Sequence, residues 1–266
     1  MGLKRTIAPR AYPVTLDELK RHAEVVASDD DTKLTGYLAA ATRAVEESLG
    51  KQLVVATYEL TMDALPREIV LPRPPLVSVS SVTYVDTAGD TQTLTATYYT
   101  VDAASFIGRI VRAYQKVWPS VRGHTNDVVV TYVAGYAVPF SVDDDTHVAT
   151  FLGRNPVDGE SAVVTVSGGT AAAIPTGLTA QQTYYVRDAD GATCKFAASA
   201  DGEAIEITAG SGTYYFGEVP FTARAAVLLL AAGMYRDREP DPAVQLLRNE
   251  RIQDLVNLTG PVIEVK

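Results

Sequence analysis

Ala137-Val138-Pro139-Phe140 and Glu218-Val219-Pro220-Phe221 are near-copies of each other, and the residues between them differ in composition from the rest of the chain. Without that stretch, the turn Tyr136-Ala137-Val138-Pro139 runs directly into Thr222-Ala223-Arg224-Ala225-Ala226-Val227, the start of a long apolar helix. The reading is an α+β fold: a small helical bundle with antiparallel β elements, into which an all-β, sandwich- or barrel-like domain is inserted. Residues 1–139 form the N-terminal helices and β part of the core, 140–218 the inserted β domain, and 219–266 the C-terminal helices and tail.

Charge follows this division. Residues 140–218 hold 11 acidic and 3 basic side chains, so the insert carries −8 of the chain's −9. The remainder is near neutral. Tight, sequence-independent nucleic-acid binding needs an excess of Lys and Arg to displace counterions from phosphates, and this chain offers none overall. The 266 residues are enough to bury a core without disulfides or metals. Cys194 is the single cysteine and lies in a strand-like run, where a small buried hydrophobe is expected. A reducing, cytosolic folding compartment fits this usage. Lys4 and Arg5 are followed by no apolar run, so no signal peptide is expected. The longest apolar run, Ala225 to Tyr235, is too short to span a bilayer, which takes about 20 residues.

Outward from the seam, the elements read as follows. Residues 1–13 are an irregular arm. Thr15-Leu16-Asp17-Glu18 is a capping box opening a short helix to about Val26. Ser28 to Asp31 opens a second helix, with Leu34, Tyr37, Leu38, Ala41, Val45 and Leu49 as its apolar stripe and Gly50 as its cap. From Val54 to Asp63 the period changes to that of a half-buried strand. Leu71-Pro72-Arg73-Pro74-Pro75-Leu76 is stiff and neither helical nor a central strand. Val77–Val85 and Thr91–Val101 form a hairpin around Thr87-Ala88-Gly89-Asp90, and Gly108–Val111 and Asp127–Val133 are further strands.

The insert offers six short β runs: Val148–Phe151, Ala162–Val166, Thr183–Arg187, Thr193–Ala197, Ala204–Thr208 and Thr213–Phe216. In the closing helix, Phe221 to Arg238, the apolar positions are Ala225, Leu228, Leu229, Ala232 and Tyr235. A last helix covers Pro242 to Leu255, and the tail Leu258–Lys266 is β-prone.

The residues supply no chemistry of their own. His22, His124 and His147 lie in different segments with no His or Cys at ligand spacing, so no metal site is expected. Nucleophile elbow, phosphate loop and dinucleotide fingerprint are all missing. Asp188-Ala189-Asp190-Gly191 has its glycine too early for a calcium loop and reads as a hairpin turn. Asp143-Asp144-Asp145 reads as a solvated acidic linker. No catalytic residue, cofactor or membrane contact is expected. Arg236-Asp237-Arg238-Glu239-Pro240 is either a charged helix end or an inter-subunit salt-bridge strip.

Several of these elements recur together in one family. The ordered set is Leu16-x-x-Leu19-Lys20-Arg21-His22, Asp29-Asp30-Asp31, Gly36-Tyr37-Leu38-Ala39-Ala40-Ala41, Tyr58-Glu59-Leu60, Leu71-Pro72-Arg73-Pro74-Pro75-Leu76 and Val79-x-x-Val82-x-Tyr84. It also includes Val45-Glu46, and continues with Gly108-Arg109-Ile110, Trp118-Pro119, Tyr132-x-Ala134-Gly135-Tyr136, Ala226 to Leu230 and Tyr235-Arg236-Asp237-Arg238-Glu239. In this the chain resembles the head–tail connector (adaptor, or head-completion) proteins of long-tailed phages and gene transfer agents.

The resemblance implies a structural, non-enzymatic virion protein at the head–tail junction, made in the host cytoplasm. It would form a closed ring of about twelve subunits below the portal, built on head-to-tail contacts, and let DNA pass without specific binding. It implies three partners: the portal, a tail-side neck or stopper protein, and further copies of the chain. Tyr235, Arg236, Arg238 and Glu239 would lie between subunits. Leu258, Val262, Ile263 and Val265 would dock on the portal by strand addition. The insert, which short members of the family lack, would project outward from the ring. The alternative function is a carbohydrate- or host-protein-binding module carried by the insert, with Tyr184, Tyr185, Tyr214 and Tyr215 as candidate aromatics, one of each pair facing outward.

Overall fold

The computed structural model describes residues 1–9, 11–167, 173–179, 182–211 and 213–236. The described chain divides into two compact units, one of residues 1–9 and 50–135, the other of residues 11–49 and 136–236.

The first unit is two antiparallel sheets over one core. The larger sheet has the order β1-β2-β8-β4-β5, with β1 Gly2–Ile7, β2 Ala56–Met62, β8 Val128–Ala134, β4 Leu76–Val85 and β5 Thr91–Thr93. Register puts Tyr58 opposite Tyr132, Leu60 opposite Val130 and Met62 opposite Val128, so one face is apolar throughout. The smaller sheet, β3 (Glu68–Val70), β7 (Arg109–Arg112) and β6 (Tyr99–Asp102), adds Ile69 and Ile110 to the same core. The Tyr58 and Tyr132 rings stack at 5.7 Å. Their hydroxyls, which burial would otherwise penalise, are satisfied: Tyr132 donates to the Pro72 carbonyl at 2.8 Å and Tyr58 to Gln52 Oε1.

The second unit joins three helices to a closed barrel. Helix α1 (Leu16–His22) begins with the expected capping box: Glu18 N–H donates to Thr15 Oγ1, and Thr15 N–H donates to Glu18 Oε2 at 2.8 Å. Helix α2 (Asp31–Leu49) buries Leu34, Leu38, Ala41, Val45 and Leu49 and stops at Gly50, whose φ of 65° is the left-handed cap conformation. Helix α3 (Phe221–Arg236) packs against both.

The barrel strands are β9 (Val138–Asp143), β10 (Val148–Phe151), β11 (Ser161–Ser167), β12 (Thr183–Asp190), β13 (Thr193–Ala197) and β14 (Thr213–Phe216), closed in the order β10-β13-β12-β11-β14-β9. Closure removes every edge. Phe140, Phe151, Phe196, Phe216 and Tyr214 fill the interior, with neighbouring ring centroids 5.3 to 6.2 Å apart. The barrel's first and last strands are neighbours, Val138 opposite Phe216 and Phe140 opposite Tyr214. Gly217, with φ of 100°, completes that junction; a Cβ there would sit 2.3 Å from the Tyr136 carbonyl oxygen. The fold is thus the expected α+β arrangement, with the inserted β domain realised as a barrel.

Several local expectations are corrected. Residues 2–7 of the expected irregular arm are a strand, because the backbone of β2 offers a partner edge; all six residues are exposed, so no side-chain alternation announces it. Helix α1 ends at His22 instead of near Val26, where Glu24 adopts φ of 58° and leaves the helical path. The second arm of the 77–101 hairpin breaks after Thr93: Leu94 turns into the core, and a 3₁₀ turn at Ala96–Tyr98 sends the chain into the smaller sheet.

The expected turn Tyr136 to Pro139 instead runs into β9, which begins at Val138. Pro139 lacks an N–H, but its carbonyl accepts from Leu152 at 2.8 Å, so the strand tolerates it. Asp143 to Asp145 is the tip of the β9–β10 hairpin and not a linker; Asp143 Oδ1 accepts from the Thr146 amide and hydroxyl at 2.8 and 2.7 Å. Ala204–Thr208 is no strand, since the barrel is already closed; it makes isolated bridges to Ala197 and Thr176.

Candidate assembly surfaces

Two groups that burial perturbs belong to the packing of the barrel. Cys194 is buried in the barrel, and desolvation pushes its thiol up to about 12, so it behaves as the small hydrophobe expected. Arg154 stacks on Phe151 and pairs with Glu160; burial lowers its guanidinium to about 10. Among the described residues no group of His, Cys, Asp and Glu side chains has metal-binding geometry, and no helix is long and apolar enough to cross a membrane. What the protein presents is surfaces.

Helix α3 presents the first. Its sequence is apolar all round, and periodicity alone does not choose a face for such a helix. The inward face is Ala223, Ala226, Val227, Leu230 and Ala231. The expected stripe lies mostly on the other side: Ala225, Leu228 and Tyr235 are half-buried and Leu229 is 39% exposed, with Phe221 beside them at 78%. Two ion-pair and hydrogen-bond contacts hold the helix in place. Arg224 Nη2 donates to Glu18 Oε1 at 2.7 Å, and the Tyr235 hydroxyl donates to Asp30 Oδ2 at 2.8 Å. Tyr235 therefore bonds within the chain, while Arg236 is exposed. Arg238 and Glu239 lie outside the described residues, as do Leu258, Val262, Ile263, Val265 and the expected helix over 242–255.

The barrel presents little for a glycan. Tyr184, Tyr214 and Tyr215 are all buried, and Tyr185 alone is partly accessible. Alternation does send Tyr214 and Tyr215 to opposite sides of β14. Tyr214 enters the barrel core, and Tyr215 leaves the barrel only to be covered by the helical part of the unit. The Tyr215 hydroxyl donates to the Tyr12 carbonyl at 2.5 Å; desolvation raises its pKa, with Glu18 adding to the shift and Arg224 opposing it. Of the two pairs, only Tyr185 is therefore left partly accessible, within the expected limit of one of each pair.

In the first unit, the outer face of the smaller sheet carries an ion-pair ladder. Arg109 on the central strand donates to Glu68 Oε1 at 3.0 Å and to Asp102 Oδ2 at 2.8 Å. The Ser105 hydroxyl, then Arg109, hold Asp102 down to about 2. At one end of this sheet the 112–118 loop exposes Tyr114 (89%) and Val117 (73%). Strand β1 lies at an edge of the larger sheet.

The described residues thus offer exposed apolar and charged faces. Residues 13–84 match the family described as "Phage gp6-like head-tail connector protein". The head–tail connector resemblance of the sequence is thereby borne out over residues 13–84. No curated protein matches it. Among solved structures, a chain of "Virion of native gene transfer agent (GTA) particle" is similar with a TM-score of 0.57 at 17% identity, covering 100% of this chain and 98% of that one. A chain of "Neck of empty GTA particle computed with C6 symmetry" gives 0.52 at 18% identity with the same coverage. A chain of "Neck of native GTA particle computed with C12 symmetry" gives 0.50 at 18%. These likenesses extend over the whole fold, the barrel included.

Proposed function

We propose that this chain forms a ring of about twelve subunits, closed by head-to-tail contacts, that joins the portal of a DNA-filled head to the tail and lets DNA pass. Its place is the head–tail junction of a virion or gene transfer agent, with the portal on one side and a neck or stopper protein on the other. The observation that carries this reading is the connector-family match at residues 13–84 inside a fold alike, from end to end, to a chain of a gene transfer agent particle.

The outward face of α3 suits a contact with the next copy, since Phe221 and Leu229 stand exposed on a helix otherwise built for burial. Arg236, with Arg238 and Glu239 beyond it, would extend that contact as a charged strip. Leu258, Val262, Ile263 and Val265 would dock on the portal. The carbohydrate- or host-binding alternative loses support, because three of its four candidate tyrosines are inside the protein.

Negative-stain electron microscopy of the purified chain, alone and with its portal, tests the proposal. Rings, free or capping the portal, are expected; a monomer that ignores the portal refutes it. Phe221→Asp with Leu229→Asp is expected to abolish rings while leaving the circular dichroism spectrum unchanged, because exposed substitutions cost at most about 0.5 kcal/mol of fold stability.

A further inference from the structure

The chain carries a net charge of −9, yet between Asp102 and Asp127 there is no carboxylate at all, while Arg109, Arg112, Lys116 and Arg122 lie there. The structure sorts these cations. Arg109 is held by Glu68 and Asp102, and Arg122 by Asp127 at 2.5 Å. Arg112 and Lys116 are exposed and make no ion pair among the described residues, and neither does exposed Arg67.

These three gather at one end of the β3-β7-β6 sheet. Glu68 is opposite Val111, so Arg67 and Arg112 flank the same end, with Tyr99 opposite Arg112 on the other side. Lys116 Nζ lies 5.4 Å from the Tyr98 ring centre. A tight turn fixes the loop: Ala113 N–H donates to the Tyr98 carbonyl at 2.9 Å and Lys116 N–H to the Ala113 carbonyl at 3.1 Å, which holds Tyr114 outward. Trp118 Nε1–H donates to the Pro66 carbonyl at 2.8 Å and pins the loop beside Arg67.

We infer that this corner, Arg67, Arg112 and Lys116 around Tyr98 and Tyr114, is where the protein meets the phosphates of duplex DNA. The inference rests on the connector reading, which brings DNA past the subunit. Exposed cations without carboxylate partners attract a polyanion without reading its sequence. Three per subunit in a mainly acidic protein give contacts weak enough to let the duplex slide.

The test is fluorescence anisotropy of a short labelled duplex with the full chain across a salt series starting near 50 mM. The triple variant Arg67→Gln, Arg112→Gln, Lys116→Gln is compared with a control that removes two cations of α2, Lys33→Gln with Arg43→Gln, the loss being scaled per charge removed. The expected result is weak binding by the unaltered chain and the control, and a log–log salt slope shallower by about 2 to 3 per engaged subunit in the triple variant. The double variant Arg67→Lys, Arg112→Lys is expected to keep the slope of the unaltered chain.

Absence of low-salt binding by the unaltered chain, or equal loss in triple variant and control, overturns the inference. So does loss of binding to an acidic protein partner with DNA binding intact. Electron microscopy of the same preparations separates the two claims: rings from the triple variant with an unchanged salt slope overturn this corner alone, whereas failure of the unaltered chain to assemble on the portal removes the connector reading.

Discussion

Replacing Tyr215 tests whether the barrel is fixed to the helices or merely strung from them. Its side chain projects from β14 away from the barrel core, yet is only 5% exposed, because the N-terminal segment and helices cover it. Tyr215→Phe keeps the ring and removes the hydroxyl that donates to the Tyr12 carbonyl. The lost hydrogen bond is worth about 0.5–1.5 kcal/mol net, and a carbonyl left buried without a partner raises the loss toward the upper end. Tyr215→Ala also removes the packed ring, a change that costs about 3–5 kcal/mol at buried aromatic positions.

Urea denaturation followed by tyrosine fluorescence and far-ultraviolet circular dichroism measures both. With a slope of about 1–3 kcal/mol per molar urea, Tyr215→Phe is expected to lower the midpoint by a few tenths of a molar to about 1 M. Tyr215→Ala is expected to separate the transition into two, the barrel outlasting the helices. A Tyr215→Ala variant with one unshifted transition would show that the contact does not couple them, and the argument would fall.

Other expectations follow from the same contacts. Thr15→Ala should lose about 1 kcal/mol through the capping box, whereas Glu18→Gln should keep the cap but weaken the bond to Arg224; thermal melts of the two variants distinguish the roles. Native Cys194 should resist iodoacetamide at pH 8 and react once unfolded. Its folded pKa is raised, so its contribution to stability is complete below the ordinary thiol value near 9 and is lost as pH rises toward about 12; Cys194→Ala should flatten stability against pH in that window. Asp102 has the opposite sign: its pKa is depressed, so its contribution is present above the ordinary carboxylate value and disappears as pH falls toward about 2. In an NMR titration, Ser105→Ala and Arg109→Met should each return Asp102 toward the ordinary range, the serine change the more strongly.

Much of this fold was legible because local and tertiary demands coincide. The capping box, the α2 stripe and Gly50 all name one helix, and Thr193–Ala197 and Thr213–Phe216 are strands to the residue. Where the two demands separate, reading failed. Strand β1 is recruited by a partner edge 50 to 59 residues away in sequence, which leaves no mark on its own side chains. The turn-forming reputation of Pro139 hid β9, whose pairing with β14 only the closed barrel makes available. In α3, apolar residues on every side concealed which face the bundle would take. The cationic corner was dispersed by the same logic: Arg67 and Arg112 are far apart in sequence, and only the antiparallel register of β3 and β7 joins them. Overall charge also misled there, because acidity concentrated in residues 140–218 masks a local excess elsewhere.

The pairing of Val138 with Phe216 makes the barrel a replaceable cassette. Its two ends leave the subunit side by side, about 5 Å apart as paired strands are, so the surrounding protein sees a hairpin whatever lies beyond Asp143 and Thr213. Evolution can therefore exchange, shrink or enlarge the cargo at this point without rewiring the helices, provided that β9 and β14 keep the Tyr215 socket. The same junction gives the experimenter a splice point for grafting a foreign domain onto the helices.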